Sequence, residues 1–291
     1  YTQMNEVVSI SERIAEVGDV IRVLQIERGL TVNFIASNGT SGANELRASR
    51  TEADQHRFEL IELLNSWTNR EDRIGEMSRS LLKHLDTLDE GRASVDSLKM
   101  NSSESFEFYT RTLNELIRFS IELSATGTSS SIAGEIFSYN LLMQAKENLG
   151  QERGIGNEAI ISSKLTVDQL ARFFALAGAQ ESLLENFLQM QNSDLRDGYR
   201  KIAAIDQDGT IELVRNRFST GGIHADLSDI DARKWFNAAT QRIQALRKIE
   251  EEIENARAEG RSKLIFIHGH GSGKLKEEMM KLLTRFSGLE I

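Results

Sequence analysis

Over residues 2–36 the apolar positions Val7, Ile10, Ile14, Val17, Ile21, Leu24 and Phe34 recur at spacings of three, four and seven. That is the pattern of one long amphipathic helix. The run Ser37-Asn38-Gly39-Thr40-Ser41-Gly42 tolerates turn geometry and ends it. A second helix is predicted over residues 44–67 on Leu46, Phe58, Ile61 and Leu64. A third is predicted from about 71 to 98 on Ile74, Leu81, Leu85 and Leu88. Asn101-Ser102-Ser103-Glu104 reads as a capping sequence opening a fourth, which carries Phe106, Tyr109, Leu113, Leu116 and Ile117.

Gly127-Thr128-Ser129-Ser130-Ser131 is the clearest interruption. Helical patterning resumes over 132–164, 167–205, 211–218 and 228–258, broken at Asp206-Gln207-Asp208-Gly209 and Gly221-Gly222. About eight helices on short links predict an all-α chain, arranged as two up-and-down four-helix bundles sharing long helices. Trp67 and Trp235 fall at core spacing. The run Glu250-Glu251-Glu252, with Glu254, reads as a solvated helix face.

Composition sharpens this picture. The 291 residues include no proline, a residue that costs about 3 kcal/mol inside a helix. They include no cysteine, which removes disulfides, thiolate metal sites and thiol nucleophiles. With 35 basic and 44 acidic side chains the formal charge is −9. Nonspecific affinity for nucleic acid is largely phosphate neutralisation, so nucleic acid is not an expected partner, and an anionic membrane surface is equally disfavoured. No apolar run approaches the ~20 residues that span a bilayer. The chain opens at Tyr1 inside a helical pattern, as an excised or processed fragment with its anchor elsewhere would.

One element is repeated. Leu24-Gln25-Ile26-Glu27-Arg28-Gly29-Leu30 returns as Leu149-Gly150-Gln151-Glu152-Arg153-Gly154-Ile155, offset by 153 − 28 = 125 residues. Both copies lie inside long predicted helices. A mid-helix glycine costs about 1 kcal/mol relative to alanine and is useful where a backbone or ligand must come close, so Gly29 and Gly154 mark candidate approach points. An inward arginine must be paired or meet an anion, and Glu27 and Glu152 supply neutralising neighbours. An interhelical salt bridge is the alternative reading of each copy.

The surroundings make the repeat specific. Residues 24–31 with Arg50-Thr51-Glu52-Ala53-Asp54 resemble the first half of the nitrate- and nitrite-sensing (NIT) domain family. The stretch Tyr139-Asn140-Leu141-Leu142-Met143-Gln144-Ala145-Lys146-Glu147-Asn148-Leu149-Gly150-Gln151-Glu152-Arg153-Gly154 resembles its second half, with Gly154 where the family typically has alanine. Trp235-Phe236-Asn237-Ala238-Ala239-Thr240, followed by Ile243 and Leu246, resembles its closing helix. The resemblance covers about residues 1–255. It implies a non-enzymatic, cofactor-free sensing module attached to chemoreceptors, histidine kinases, cyclic-nucleotide enzymes or RNA-binding antitermination regulators.

Nitrate is a small planar monoanion, and a guanidinium offers a planar fork of donors to match it. The overall field of a −9 chain repels anions, so binding needs a locally positive pocket. Arg28 and Arg153 are the leading candidates. Thr31, one turn beyond Arg28, adds a hydroxyl on the same face. Arg50 is a further ligand or a salt bridge to Asp54, and Arg215 and Arg217 stand near the Gly221-Gly222 break. Glu27, Gly29, Asp54, Glu152 and Gly154 support the site.

After Gly260 the composition changes. Lys263-Leu264-Ile265-Phe266-Ile267 reads as a short strand, followed by His268-Gly269-His270-Gly271-Ser272-Gly273-Lys274-Leu275 and a helix over 276–286. The glycine loop is one residue short of a P-loop, and Leu275 stands where Ser or Thr would hold magnesium. Its His-Gly-x-Gly-x-Gly-x-Leu core resembles part of the small MutS-related (Smr) domain family, associated with nucleic-acid cleavage or binding.

The expected organisation is a double helical bundle over 1–260, with halves of about 1–125 and 126–260, and a strand–loop–helix segment over 261–291. The expected function is a ligand-sensing domain of a bacterial signal-transduction protein, binding nitrate or nitrite between helices and relaying a packing change along the last helix. A homodimer is expected, with an effector on the full-length protein and a periplasmic setting in a membrane-anchored receptor; the cytoplasm is the alternative. Two other functions compete: a nucleic-acid-binding or nicking protein acting through His268 and the glycine loop, and a helical dimerisation scaffold.

Overall fold

The computed structural model describes residues 2–125, 130–191, 193–206 and 208–258. The strand, glycine loop and helix expected after Gly260, with the Smr-like motif and His268, lie outside the described residues. Within them, ten α-helices account for the regular structure, joined by turns and one 3-10 turn at Gly222–His224.

Helix α1 spans Thr2–Ala36 without interruption. It stops where Asn38 and Gly39 turn left-handed, at φ 52° and 75°. Helix α2 runs Ala43–Trp67. The single helix predicted over 71–98 is two, α3 (Arg73–Asp86) and α4 (Leu88–Asp96). Thr87 parts them: its hydroxyl donates to the His84 carbonyl at 2.8 Å, and its N–H turns to Leu85. A side chain bonding back to the preceding turn competes with the helical ladder. The capping sequence before α5 (Ser102–Ala125) forms as predicted, with Asn101 N–H donating to Glu104 and Glu104 N–H donating to Asn101, both at 2.9 Å.

Helix α6 spans Ser130–Ser162. The helix predicted over 167–205 is again two, α7 (Val167–Gln189) and α8 (Ser193–Ala203). Side chains end α7: Gln191 Nε2 donates to Phe187 O and Arg196 Nε to Leu188 O, each at 3.0 Å. These satisfy carbonyls that would otherwise demand further helix. Helix α9 covers Thr210–Gly221, and Gly222 follows at φ 58°. The last helix, α10 (Ala232–Ala258), starts later than predicted. Asp226 binds the Ser228 N–H and hydroxyl, and Asp231 takes the Arg233 N–H, holding 226–231 in turn geometry.

The chain divides into two compact units, Tyr1–Asn140 and Leu141–Ile291. The division falls inside α6, later than the 125/126 line of the sequence reading. The first turns of α6 belong with α5: Asn140 accepts from the Ser120 hydroxyl at 2.8 Å and donates to Ser124 at 3.3 Å.

In the first unit α1 packs against α2 and α5, and α3 closes the ring between α2 and α5, with α4 continuing from α3. Ile14, Val17, Ile21, Leu60, Leu64, Leu85, Leu113 and Phe119 fill the centre. Trp67 stacks near Phe119 at a centroid distance of 5.9 Å. In the second unit α10 packs on α8 and α9, and α7 on α8 and the 3-10 turn. Its core gathers Ile155, Ala159, Phe173, Val214, Phe218 and Trp235, with Phe173 edge-on to Phe218 at 4.8 Å. The solvated acidic face expected at 250–252 is not what forms. Glu250 is buried and pairs with buried Lys146 of α6, as an interior charge must.

Candidate functional site

Glu27 has no exposed surface. Three helices bring donors to it. From α4, Arg92 closes a fork, Nε to Oε1 at 2.7 Å and Nη2 to Oε2 at 2.8 Å. From α5, the Tyr109 hydroxyl donates to Oε1 at 2.7 Å. From α2, Arg50 Nε comes to 3.5 Å. Arg92 Nη1 turns away to Asp54 at 2.6 Å.

The second unit builds the same figure around Glu152, also fully buried. Arg215 of α9 closes the fork, Nε to Oε1 at 2.7 Å and Nη2 to Oε2 at 2.8 Å. Its Nη1 reaches Glu181 of α7 at 2.9 Å, and Gln180 adds a donor at 3.2 Å. The offsets are 215 − 92 = 123 and 181 − 54 = 127, close to the 125 of the Glu-Arg-Gly repeat. The duplication read in α1 and α6 therefore extends to the helices that face them.

The electrostatics follow. Burial alone would lower the pKa of Arg92 and of Arg215, but the clamped carboxylates Glu27 and Glu152 outweigh it, and both are raised. Tyr109 is raised, first by burial and then by the Glu27 charge, so it stays a donor. Each carboxylate is neutralised where it sits.

The neighbouring arginines are held differently. Arg28 Nη1 donates to the Thr110 hydroxyl at 2.8 Å, and its guanidinium carbon lies 4.5 Å from the Phe106 ring centroid. Arg153 Nη1 donates to the Thr240 hydroxyl at 2.8 Å, with Phe236 at 4.4 Å. Phe106 and Thr110 are one turn apart on α5, as Phe236 and Thr240 are on α10, which puts ring and hydroxyl on one face. The Trp235 indole donates to the Arg153 carbonyl at 2.9 Å, fixing the backbone there. Arg28 is buried and Arg153 half-buried.

The remaining predicted residues fall as follows. Thr31 is fully buried beside Tyr109. Arg50 does not pair with Asp54; its Nη1 bonds both oxygens of Asp96 at 2.8 and 2.9 Å, and Asp54 goes to Arg92 and Arg57. Arg215 is the counter-ion of Glu152, and Arg217 is bound to Asp229. At Gly29 a Cβ would meet no protein atom within 4 Å, so no neighbouring backbone requires the glycine there. Gly154 is half-buried in α6.

Sequence reasoning missed Arg92, Tyr109, Phe106, Thr110 and Arg242. The last donates to the Ala203 carbonyl at the end of α8 at 2.6 Å, and its pKa is lowered by burial and by the charge of Arg215. A usable signal existed for the ring–hydroxyl pairs: Phe-x-x-x-Thr occurs at 106–110 and again 130 residues on, at 236–240.

The family model described as "Nitrate and nitrite sensing" matches residues 19–256. A nitrate regulatory protein of Klebsiella oxytoca is 22% identical over 256 residues, which cover 86% of this chain and 62% of that protein. The chain thus spans just under two thirds of its relative's length. The solved structure of the NasR transcription antiterminator has the same fold, with a TM-score of 0.77 at 20% identity, over 98% of this chain and 76% of its own. One is named a nitrate regulatory protein and the other a transcription antiterminator, which overturns the expected periplasmic receptor setting. Among the described residues no helix is long and apolar enough to cross a membrane. The expectation that nucleic acid is not a partner finds no support in these comparisons. The chain is a non-enzymatic sensing module, and it belongs to the nitrate- and nitrite-sensing (NIT) family.

Proposed function

We propose that this chain is the nitrate- or nitrite-binding module of a bacterial regulator and that the anion docks against Arg28 in one unit and Arg153 in the other. The observation that carries this reading is the duplicated cradle. In both units a guanidinium carbon lies over a phenyl ring, 4.5 Å from the centroid for Arg28 and 4.4 Å for Arg153, and the guanidinium donates to a threonine hydroxyl. The adjacent glutamate is already neutralised by a second arginine. A guanidinium meets a planar oxyanion bidentately along an edge. Clamping Glu27 and Glu152 removes the charge that would repel an anion one residue away.

Signalling requires that the anion prefer one of two helix packings, since a ligand shifts an equilibrium only by its differential affinity. Thr240 and Phe236 sit on α10, and Glu250, further along the same helix, is tied to Lys146 of α6. An anion at Arg153 therefore acts on the helix that leads toward the C-terminus. The relay ends on an effector of the full-length protein, for which transcription control is the setting suggested by the relatives.

The test is calorimetric and thermal titration with nitrate, nitrite, chloride and sulfate. Occupancy at 100 times Kd stabilises the folded state by about 2.7 kcal/mol. Nitrate or nitrite should raise Tm by several degrees and sulfate should not, and Arg28→Ala with Arg153→Ala should abolish the rise. Unchanged binding in the double variant would refute the assignment.

A further inference from the structure

Helix α10 takes hold of Arg153 at both ends of the residue. The Trp235 indole is fully buried, and its ring fills a notch at Gly156, where a Cβ would stand 2.5, 2.6 and 2.8 Å from ring atoms. From that notch Nε1 reaches back one turn along α6 and donates to the Arg153 carbonyl at 2.9 Å. A carbonyl oxygen has two lone pairs, so it accepts the indole without leaving the helical ladder. Phe173 of α7 backs the indole, with a centroid distance of 6.0 Å. The same helix takes the side chain: Phe236 lies 4.4 Å from the guanidinium carbon, and the Thr240 hydroxyl accepts from Nη1 at 2.8 Å. That hydroxyl has one proton, which it gives to the Phe236 carbonyl at 2.6 Å, so toward Arg153 it presents lone pairs alone.

The first unit has no indole at the matching place. Phe236 and Thr240 repeat Phe106 and Thr110 at an offset of 130, so Trp235 corresponds to 235 − 130, which is Ser105. The Ser105 hydroxyl donates to the Ser102 carbonyl of its own helix at 2.9 Å. Gly156 corresponds to 156 − 125, which is Thr31. Notch and indole therefore belong to the second unit. Burial supplies the reason. Arg28 is 3% exposed, and the packing around it restricts its rotamers. Arg153 is half-buried, and a long side chain at the edge of solvent keeps more of its freedom. Fixing the backbone from which it springs removes part of that freedom.

We propose that Trp235 is a positioning residue of the second unit: seated in the Gly156 notch, it anchors the Arg153 carbonyl and so sets the direction of the Arg153 guanidinium, a task that packing performs for Arg28. This rests on the sensing reading above. Trp235 touches no anion and acts through Arg153. Its indole is nevertheless bonded to the residue that meets the anion, so its fluorescence reports occupancy of the second unit and is blind to the first.

The test measures the units one at a time in the intact chain. In Arg28→Ala protein, where the second unit alone binds, Trp235→Phe should weaken nitrate binding about 2- to 10-fold, the loss of one hydrogen bond. In Arg153→Ala protein, where the first unit alone binds, it should change nothing. Gly156→Ala, which displaces the indole without removing it, should repeat both results. Trp67→Phe leaves Trp235 as the sole tryptophan. Nitrate should then change its emission in the Arg28→Ala background and leave it unchanged in the Arg153→Ala background. Without anion, urea titration of Trp235→Phe, Arg153→Ala and the double variant should give non-additive losses. Equal weakening in both backgrounds, wild-type affinity in both, or additive losses would overturn the positioning role and leave the sensing function intact. A wild-type chain that binds neither nitrate nor nitrite, yet shows non-additive losses, would overturn the sensing function and leave Trp235 as the residue that positions Arg153.

Discussion

Arg92 closes on Glu27 through two parallel hydrogen bonds of 2.7 and 2.8 Å, in a place where the carboxylate has no exposed surface. Removing one partner of such a pair strands the other charge, and that costs about 3–5 kcal/mol. Arg92→Ala should lower unfolding stability by that amount in urea titration. Replacing both partners, as in Glu27→Leu with Arg92→Leu, should cost clearly less than the single change, because no unpaired charge remains. Arg215→Ala should cost less than Arg92→Ala, since the Arg215 side chain is 13% exposed against 7% for Arg92 and water can partly solvate what is left.

Gly29 and Gly156 look alike in the sequence, both inside helices and beside the repeated motif, but they obey different constraints. Nothing lies within 4 Å of a Cβ at Gly29. Gly29→Ala should therefore stabilise the protein by up to about 1 kcal/mol through helix propensity. At Gly156 the same methyl group meets Trp235 ring atoms at 2.5, 2.6 and 2.8 Å. Gly156→Ala should destabilise by about 1–3 kcal/mol, the range for overpacked cores, and should red-shift Trp235 fluorescence as the indole is pushed toward water. Thermal melts of the two variants check the opposite signs.

Asp72 caps α3 by accepting the Gly75 N–H at 3.1 Å, and it accepts from Arg70 as well. The Arg70 hydrogen bond first, and then the Gly75 N–H, hold its pKa down at about 2 against 3.8 for the ordinary carboxyl. A carboxyl depressed on folding contributes stability above its unfolded pKa and loses it as pH falls through the folded value. Asn caps a helix about as well as Asp but carries no charge. Wild-type protein should therefore be more stable than Asp72→Asn at neutral pH, and the difference should vanish between about pH 4 and 2. Paired urea titrations across that range measure it.

What the sequence disclosed and withheld has a physical pattern. The long apolar periods of α1 and α2 and the reciprocal cap before α5 were readable because each is set by neighbours along the chain. The breaks at Thr87 and after Gln189 were not, since they depend on side chains bonding to carbonyls of the preceding helix in residues that also suit helix interiors. Arg28 and Arg153 were visible through the repeat. Their rings and hydroxyls were not connected to them, because Phe106 and Thr110 are about 80 residues distant and only folding brings them together. Of the two sequence readings of Arg50, a further ligand or a salt bridge to Asp54, the second rests only on proximity along the chain. In the fold Arg92, from another helix, reaches Asp54 first, and Arg50 turns to Asp96. Glu250 shows the same limit: an acidic run looks solvated until an opposing lysine, Lys146, arrives from 104 residues away.

Phe106 and Phe236 allow the cradle to be separated from the charge it holds. Both rings are only half-buried, so Phe→Leu at either position removes a stacking face without opening a core cavity. The arginine and its threonine remain in place. A cation–π contact is worth about 0.5–1 kcal/mol at exposed sites and about 2 when desolvated. If the ring serves to hold the guanidinium edge toward the anion, part of that energy is spent on orientation, and its loss appears as weaker binding. Phe106→Leu with Phe236→Leu should lower nitrate affinity by about 2- to 30-fold, with Tm in the absence of anion falling only slightly. Arg28→Ala with Arg153→Ala should instead abolish binding. Of the two rings Phe106 should matter more, because Arg28 is buried and Arg153 only half-buried, and a desolvated contact is the stronger. Calorimetric titration of the single and double variants with nitrate resolves the two cases. Equal affinity across all of them would show that the rings only pack the guanidinium and do not orient it.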